Sequence, residues 1–271
     1  MPLSDLGSVR LHYQILGKGR PIVFVNGWTS SCQYWMPVAE LLKSKYLCLL
    51  YDYRGVGRSQ IVETDVGVDI DEHAEDLHQL ILNLGLEDVN VVAHGLGCWA
   101  ATLAARRHPQ DFATLTIVSP EIETLEEKDK EKPDMPSVWQ QTSLILKDLA
   151  SIPLLRNVVT RRYNSAPEPY RTLLCEDFAK TDRRVAYHML ASCMGKENRE
   201  RFFKAFAEIP LPIMLVRGSE DKLAPETDVR EIYTLIKSGC LATIRGCGHL
   251  PMLEFTKEFS KLLSDFFDKQ K

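Results

Sequence analysis

Val89-Asn90-Val91-Val92-Ala93-His94-Gly95-Leu96-Gly97 runs from strand-forming residues into a glycine-rich turn, and Cys98-Trp99-Ala100-Ala101-Thr102-Leu103-Ala104-Ala105 follows with small side chains suited to a packed helix. The first five residues read as a continuous buried strand. The turn allows no linker before the helix begins. A strand that passes through one sharp turn into a helix is half of a parallel β-α-β unit, so this stretch argues for an α/β fold.

Working outward, the same alternation recurs on both sides. Residues 9–16 alternate with period two and predict an antiparallel edge strand, followed by a turn at Gly17-Lys18-Gly19. Residues 21–25 predict a buried strand, the region of 35–43 a helix, 46–51 a strand and 70–84 a helix with Leu77, Ile81 and Leu84 on one face. Residues 112–118 predict a further strand. Residues 121–134 are then strongly charged, and from about 136 to 208 the pattern is helical throughout, with breaks at Pro153, Pro167-Glu168-Pro169 and Gly195. Strand character returns at 212–216 and 241–244, with helices near 226–237 and 256–269. The predicted organisation is a core of residues 1–120 and 210–271 interrupted by a helical insertion, residues 121–209.

With 271 residues the chain is long enough for a large α/β core. Its net charge of -4 gives no reason to expect nucleic acid as a partner. No run approaches the roughly 20 apolar residues of a membrane span. The start, Met1-Pro2-Leu3-Ser4-Asp5, lacks the basic and apolar regions of a signal peptide. Seven cysteines without a C-x-x-C pair read as reduced thiols, and the expected location is cytoplasmic. No nucleotide-binding G-x-G-x-x-G pattern with its distal acid and no metal-ligand spacing is present, so no cofactor and no metal are expected. Composition is silent on oligomeric state.

Four loops after predicted strands carry recognisable patterns. They are Asn26-Gly27-Trp28, Asp52-Tyr53-Arg54-Gly55-Val56-Gly57-Arg58-Ser59, Gly218-Ser219-Glu220-Asp221-Lys222-Leu223-Ala224-Pro225, and Gly246-Cys247-Gly248-His249. Together with the turn at Gly95 the chain resembles the α/β-hydrolase superfamily over essentially its whole length. The resemblance implies a mostly parallel eight-stranded sheet with helices on both faces and a helical cap between strands 6 and 7. In G-x-S-x-G members a nucleophilic serine stands at the elbow. Here Gly95 stands there, and glycine has no atom with which to form an acyl-enzyme.

The remaining parts match residue by residue. His249 and Asp221 are implied as the histidine and the acid that orients it, in the family's chain order. The backbone amides of Leu96 and Trp28 are implied as oxyanion donors, which survive loss of a serine side chain. Asn26 replaces the family's histidine in the oxyanion loop. Trp28 and Asn26, with Trp139 and Tyr187 from the cap, are the expected substrate contacts. His94 reads as structural, as does Cys98. Glu121 and Glu123 follow the sixth strand at a position that supplies an alternative triad acid in some family members. Removal of the serine oxygen is expected to leave room for a water or a substrate hydroxyl beside His249.

Three functions follow. The first is an enzyme using His249 and Asp221 for non-covalent acid/base chemistry of lyase, cyclase or hydration type on a small, largely apolar carbonyl compound. The second is a serine esterase or lactone hydrolase inactivated by serine-to-glycine replacement at the elbow. The third is a non-catalytic ligand-binding protein.

Overall fold

A computed structural model describes residues 2–122 and 166–270. In chain order the strands are β1 (Leu3–Asp5), β2 (Val9–Leu16), β3 (Arg20–Val25), β4 (Tyr46–Tyr51), β5 (Gln60–Ile61), β6 (Val89–His94), β7 (Phe112–Val118), β8 (Ile213–Gly218) and β9 (Gly239–Ile244). Eight of them lie side by side in the order β1-β2-β4-β3-β6-β7-β8-β9, and the two-residue β5 pairs with β2. From β4 to β9 every pairing is parallel. The helices are α1 (Met36–Leu42), α2 (Ile70–Asn83), α3 (Gly97–Arg107), α4 (Tyr170–Lys180), α5 (Arg183–Ala191), α6 (Lys196–Glu208), α7 (Glu226–Leu235), α8 (Pro251–Glu254) and α9 (Thr256–Asp268).

The alternation in residues 9–16 does yield an antiparallel strand, but β2 is not the edge. It pairs with β1 and β4, and the three-residue β1 lies outside it. A short, polar β1 carries too little periodicity to announce itself, yet it covers the backbone groups that β2 would otherwise leave unpaired. The helix expected at 35–43 is split into a 3₁₀ turn, Cys32–Trp35, and α1, which begins with Pro37 in its first turn. Proline fits there because its missing N–H would have had no partner within the helix.

Central strands buried on both faces give two apolar layers. Val91 and Ala93 of β6 face α2, α3 and α6, whereas Val92 faces Trp35, α1 and α9. The N-terminus of α2 is fixed by Asp69, whose carboxylate accepts from the Asp71 and Glu72 amides. Helices α4, α5 and α6 fall between β7 and β8 in sequence, in the stretch read as a helical insertion. Among the described residues no helix is long and apolar enough to cross a membrane. None of the seven cysteines is in a disulfide, and six are buried.

Candidate active site

The turn between β6 and α3 places Gly95 at φ +56°. This left-handed conformation is strained for most residues and easy for glycine. Gly95 N–H donates to the Val118 carbonyl, and the Cys98 amide returns a bond to the Gly95 carbonyl. Close packing of α3 under the turn requires Gly97, since a Cβ there would lie 1.9 Å from the Asn26 carbonyl oxygen. Leu96, between the two glycines, is the N-cap residue of α3.

Asp221 and His249 meet as the loops after β8 and β9 converge. His249 Nδ1 lies 3.1 and 3.0 Å from the two Asp221 oxygens. Asp221 is itself held by the Leu223 and Ala224 amides. His249 is clamped from both flanks, because Glu254 accepts from the amides of Gly248 and Leu250. The sequence reading did not single out Glu254. Its only signal is an acid five residues beyond the histidine, a spacing that many surface helices share.

His94 supports the same loop from below. Its Nε2 donates to the His249 carbonyl at 3.0 Å, and Nδ1 accepts from Tyr34 Oη at 3.3 Å. Tyr34 Oη in turn accepts from the Gly27 amide at 2.7 Å. Burial drives the His94 ring down to about 3, so it stays neutral, as this donor-and-acceptor arrangement requires. The chain Gly27–Tyr34–His94–His249 therefore ties the loop after β3 to the loop after β9.

The space above Gly95 differs from the expectation. A Cβ on Gly95 would lie 3.1 Å from Glu121 Oε1, and that same oxygen is 3.2 Å from His249 Nε2. The carboxylate of Glu121, rather than room for water, occupies the side of the ring that a serine oxygen would face. Glu121 also differs from the alternative-acid expectation. It meets Nε2, while Asp221 holds Nδ1. Position along the chain could not separate these outcomes, because both nitrogens lie within reach of a side chain leaving the end of β7. Its backbone is pinned by the Trp99 indole N–H, which donates to the Glu121 carbonyl at 3.0 Å.

Two carboxylates on one imidazole decide its charge. Burial alone disfavours a charged ring, but the hydrogen bonds from Asp221 and Glu121 outweigh it and raise His249 to about 9. Burial likewise opposes an ionised Asp221, and the bonds and charge of His249 overturn that, holding it at about 2. Both partners thus shift toward an ion pair. His249 is 5% exposed, and the Glu121 side chain 16%.

The remaining predicted residues spread more widely. Trp28 is buried, with its indole N–H donating to the Ala186 carbonyl of α5 and its ring 5.4 Å from Phe178 of α4. The same loop is held by Asp177, whose carboxylate accepts from the Ser31 amide. Burial raises Asp177 to about 6. Asn26 is fully buried and donates its amide to the Tyr51 carbonyl at 2.7 Å, inside the sheet layer, while its Oδ1 has no hydrogen-bond partner among the described residues. Tyr187 is half-buried on α5, directly after the residue that receives the Trp28 bond. Trp139 and Glu123 lie outside the described residues.

Two further side-chain groups come together that spacing did not reveal, His12–Cys32–Asp52 and His78–His108–Asp111. In the first, Asp52 accepts from the Cys32 and Arg58 amides and contacts His12 Nδ1. Burial pushes the Cys32 thiol far up, so a thiolate ligand is unfavourable there. In the second, the two rings stack at 3.6 Å with Asp111 on His78 Nδ1.

A family profile described as the α/β hydrolase fold matches residues 20–256. The chain is 25% identical over 292 aligned residues to the non-heme chloroperoxidase CPO-A1 of Kitasatospora aureofaciens, covering 99% of this chain and all of that one. It is 33% identical over 120 residues to a RutD protein of Azorhizobium caulinodans, a match spanning 44% of each. Among solved structures, a bromoperoxidase from Bacillus anthracis superposes with TM-score 0.80 at 20% identity over 96% of both chains. With strand order, loop motifs and these likenesses in agreement, the chain belongs to the α/β-hydrolase fold family.

Proposed function

We propose that this chain is an enzyme of the α/β-hydrolase fold that works without an acyl-enzyme. His249, oriented by Asp221, moves protons on a small, largely apolar carbonyl compound in a lyase, cyclase or hydration reaction. The amides of Leu96 and Trp28 stabilise the oxygen on which negative charge develops. The observation that carries this reading is an imidazole within 3.2 Å of two carboxylates, set above a backbone position that has no side chain.

Magnitudes support undemanding chemistry. Positioned proton transfer contributes about 10²–10⁴-fold, and each oxyanion donor about 10²–10³-fold. Together these suit an activated carbonyl and fall short of amide hydrolysis. Relatives named as a non-heme chloroperoxidase and as a soluble epoxide hydrolase share the fold and point to no single reaction.

The same 3.2 Å contact also suits a ring immobilised in a ligand-binding protein, and one experiment separates the two. A panel of lactones, enol esters and β-hydroxy ketones is followed by NMR with the wild type and with His249→Ala. Turnover that falls at least 100-fold in the variant supports the enzyme. Ligand-induced thermal shifts of equal size in both proteins, with no turnover, favour the binding protein. Equal turnover in both removes His249 from the chemistry.

A further inference from the structure

We infer that Glu121 is the proton-accepting catalytic residue of this site and His249 the proton donor, acting on a neutral, enolisable carbonyl compound. This inference deepens the proposed acid/base function and rests on it, but it reverses the role ordinarily given to the histidine. A general base must hold an available lone pair toward the substrate. His249 has its Nδ1 committed to Asp221 and its Nε2 facing Glu121, so both ring nitrogens point at carboxylates. Such a ring is most stable with both nitrogens protonated, and the raised His249 value of about 9 agrees. An imidazolium has a proton to give and no site to take one. The basic atoms at Nε2 are the oxygens of Glu121.

The geometry suits paired transfer. Glu121 takes a proton from the carbon next to the substrate carbonyl. The C–H electron pair becomes the C=C bond of the enol, and the carbonyl π pair moves onto oxygen. That oxygen takes the Nε2 proton of His249, leaving a neutral ring and a protonated Glu121. Atoms and charge balance without any oxidant or co-reactant. Glu121 Oε1 and His249 Nε2 are 3.2 Å apart, so the acid proton can pass directly to the ring and restore the resting state. Reversal of the two transfers after proton exchange with solvent returns the carbonyl compound with solvent hydrogen at the α-carbon.

Charge narrows the substrate class. Asp221 and Glu121 set two carboxylates against His249 in a largely buried site. A carboxylate or phosphate at the reacting carbon would be repelled there, whereas a neutral ketone, ester or lactone would not. The Asp221 carboxylate is also fixed before substrate arrives by two backbone amides, and the backbone of Glu121 is held by the Trp99 bond to its carbonyl. Such preorganisation is what a proton-transfer site requires.

The test uses proton exchange, which needs no knowledge of the natural substrate. Phenylacetone and 2-tetralone are incubated with the full chain in D₂O, and loss of the α-proton signals is followed by NMR. The wild type is expected to exchange them above background. Glu121→Gln and His249→Gln should each lower the rate at least 100-fold, and formate should restore part of the rate to Glu121→Ala. In parallel, the His249 ring-proton titration should move from about 9 down by about one unit or more in Glu121→Gln. Exchange in Glu121→Gln within threefold of wild type overturns the base assignment and leaves His249-centred chemistry standing. Exchange by none of the proteins, wild type included, overturns both. An unmoved His249 titration in Glu121→Gln removes the contact on which the inference depends.

Discussion

Restoring serine at the elbow will not by itself restore a serine hydrolase, because position 95 and Glu121 compete for one place. In Gly95→Ser the backbone keeps φ +56°, which costs a non-glycine residue about 1–3 kcal/mol. The new Cβ lies 3.1 Å from Glu121 Oε1, so a hydroxyl aimed at Nε2 must displace the carboxylate. At roughly 2–4 °C per kcal/mol for a chain near this size, Tm should fall by roughly 2–12 °C. The hydroxyl also meets a ring whose Nε2 carries a proton, and such a ring cannot accept another. The double variant Gly95→Ser/Glu121→Ala removes both obstacles. Without the second carboxylate the ring titrates lower and can serve as base for the serine, a role worth about 10²–10⁴-fold. The assays are p-nitrophenyl acetate hydrolysis and labelling by a fluorophosphonate. The double variant should label readily and hydrolyse at least 100-fold faster than the single one. Equal labelling of the single and double variants would show that Glu121 does not govern the site.

Other expectations concern stability. His249 has a folded value of about 9, above an unfolded value near 6.5, so its contribution is complete below about pH 6.5 and is lost as pH rises through about 9. This loss is on the order of 3 kcal/mol and should appear in urea midpoints between pH 6 and 10, but not in His249→Gln. Arg54, buried and bidentate to Asp76 at 2.7 Å, should cost about 3–5 kcal/mol as Arg54→Ala, and much less as Arg54→Met/Asp76→Leu, because only the first strands a buried charge. Denaturant unfolding distinguishes the two. Gly97→Ala would drive its Cβ within 1.9 Å of the Asn26 carbonyl oxygen and 2.6 Å of Tyr53 Oη. Both are anchored atoms, so about 3 kcal/mol or more should be lost, seen as poor soluble yield or a lowered urea midpoint.

How much of this was legible depended on whether a feature is local in sequence. Val89–His94 and the helix after it announce themselves because burial on both faces favours the apolar Val89, Val91, Val92 and Ala93, and close packing of the helix demands Gly97. Asp221 and His249 were legible through the resemblance of their loops to α/β-hydrolase motifs, and parallel strands bring the loops at their C-terminal ends to one edge. The rotamer of Asn26 was not legible because a loop position fixes the backbone but not the side chain, and its amide found the Tyr51 carbonyl. β1 was missed because three residues carry no period. The placement of Glu121 was legible only to the extent that an acid follows β7. Which ring nitrogen it meets depends on Gly95 lacking a Cβ, on the Trp99 bond to its backbone, and on the ring orientation set by Asp221. Those are three contacts across long stretches of chain, and no pattern in any one segment contains them.

A serine elbow without Glu121 and the proposed Glu121–His249 pair carry the same net charge. An ionised acid, a neutral imidazole and a serine hydroxyl together carry one negative charge. Asp221 and Glu121, ionised beside a protonated His249 as proposed, carry one as well. The loops that converge here, with amides of Leu223 and Ala224 on Asp221 and of Gly248 and Leu250 on Glu254, therefore face the same net field in either arrangement. What differs is where the mobile proton rests. With serine it rests on oxygen and must first move to nitrogen, so the site begins by generating a nucleophile. With Glu121 it already rests on nitrogen, 3.2 Å from a carboxylate that can receive one, so the site begins ready to give a proton and take a proton. A scaffold built around the serine arrangement can thus hold proton-transfer chemistry without rebuilding its electrostatics.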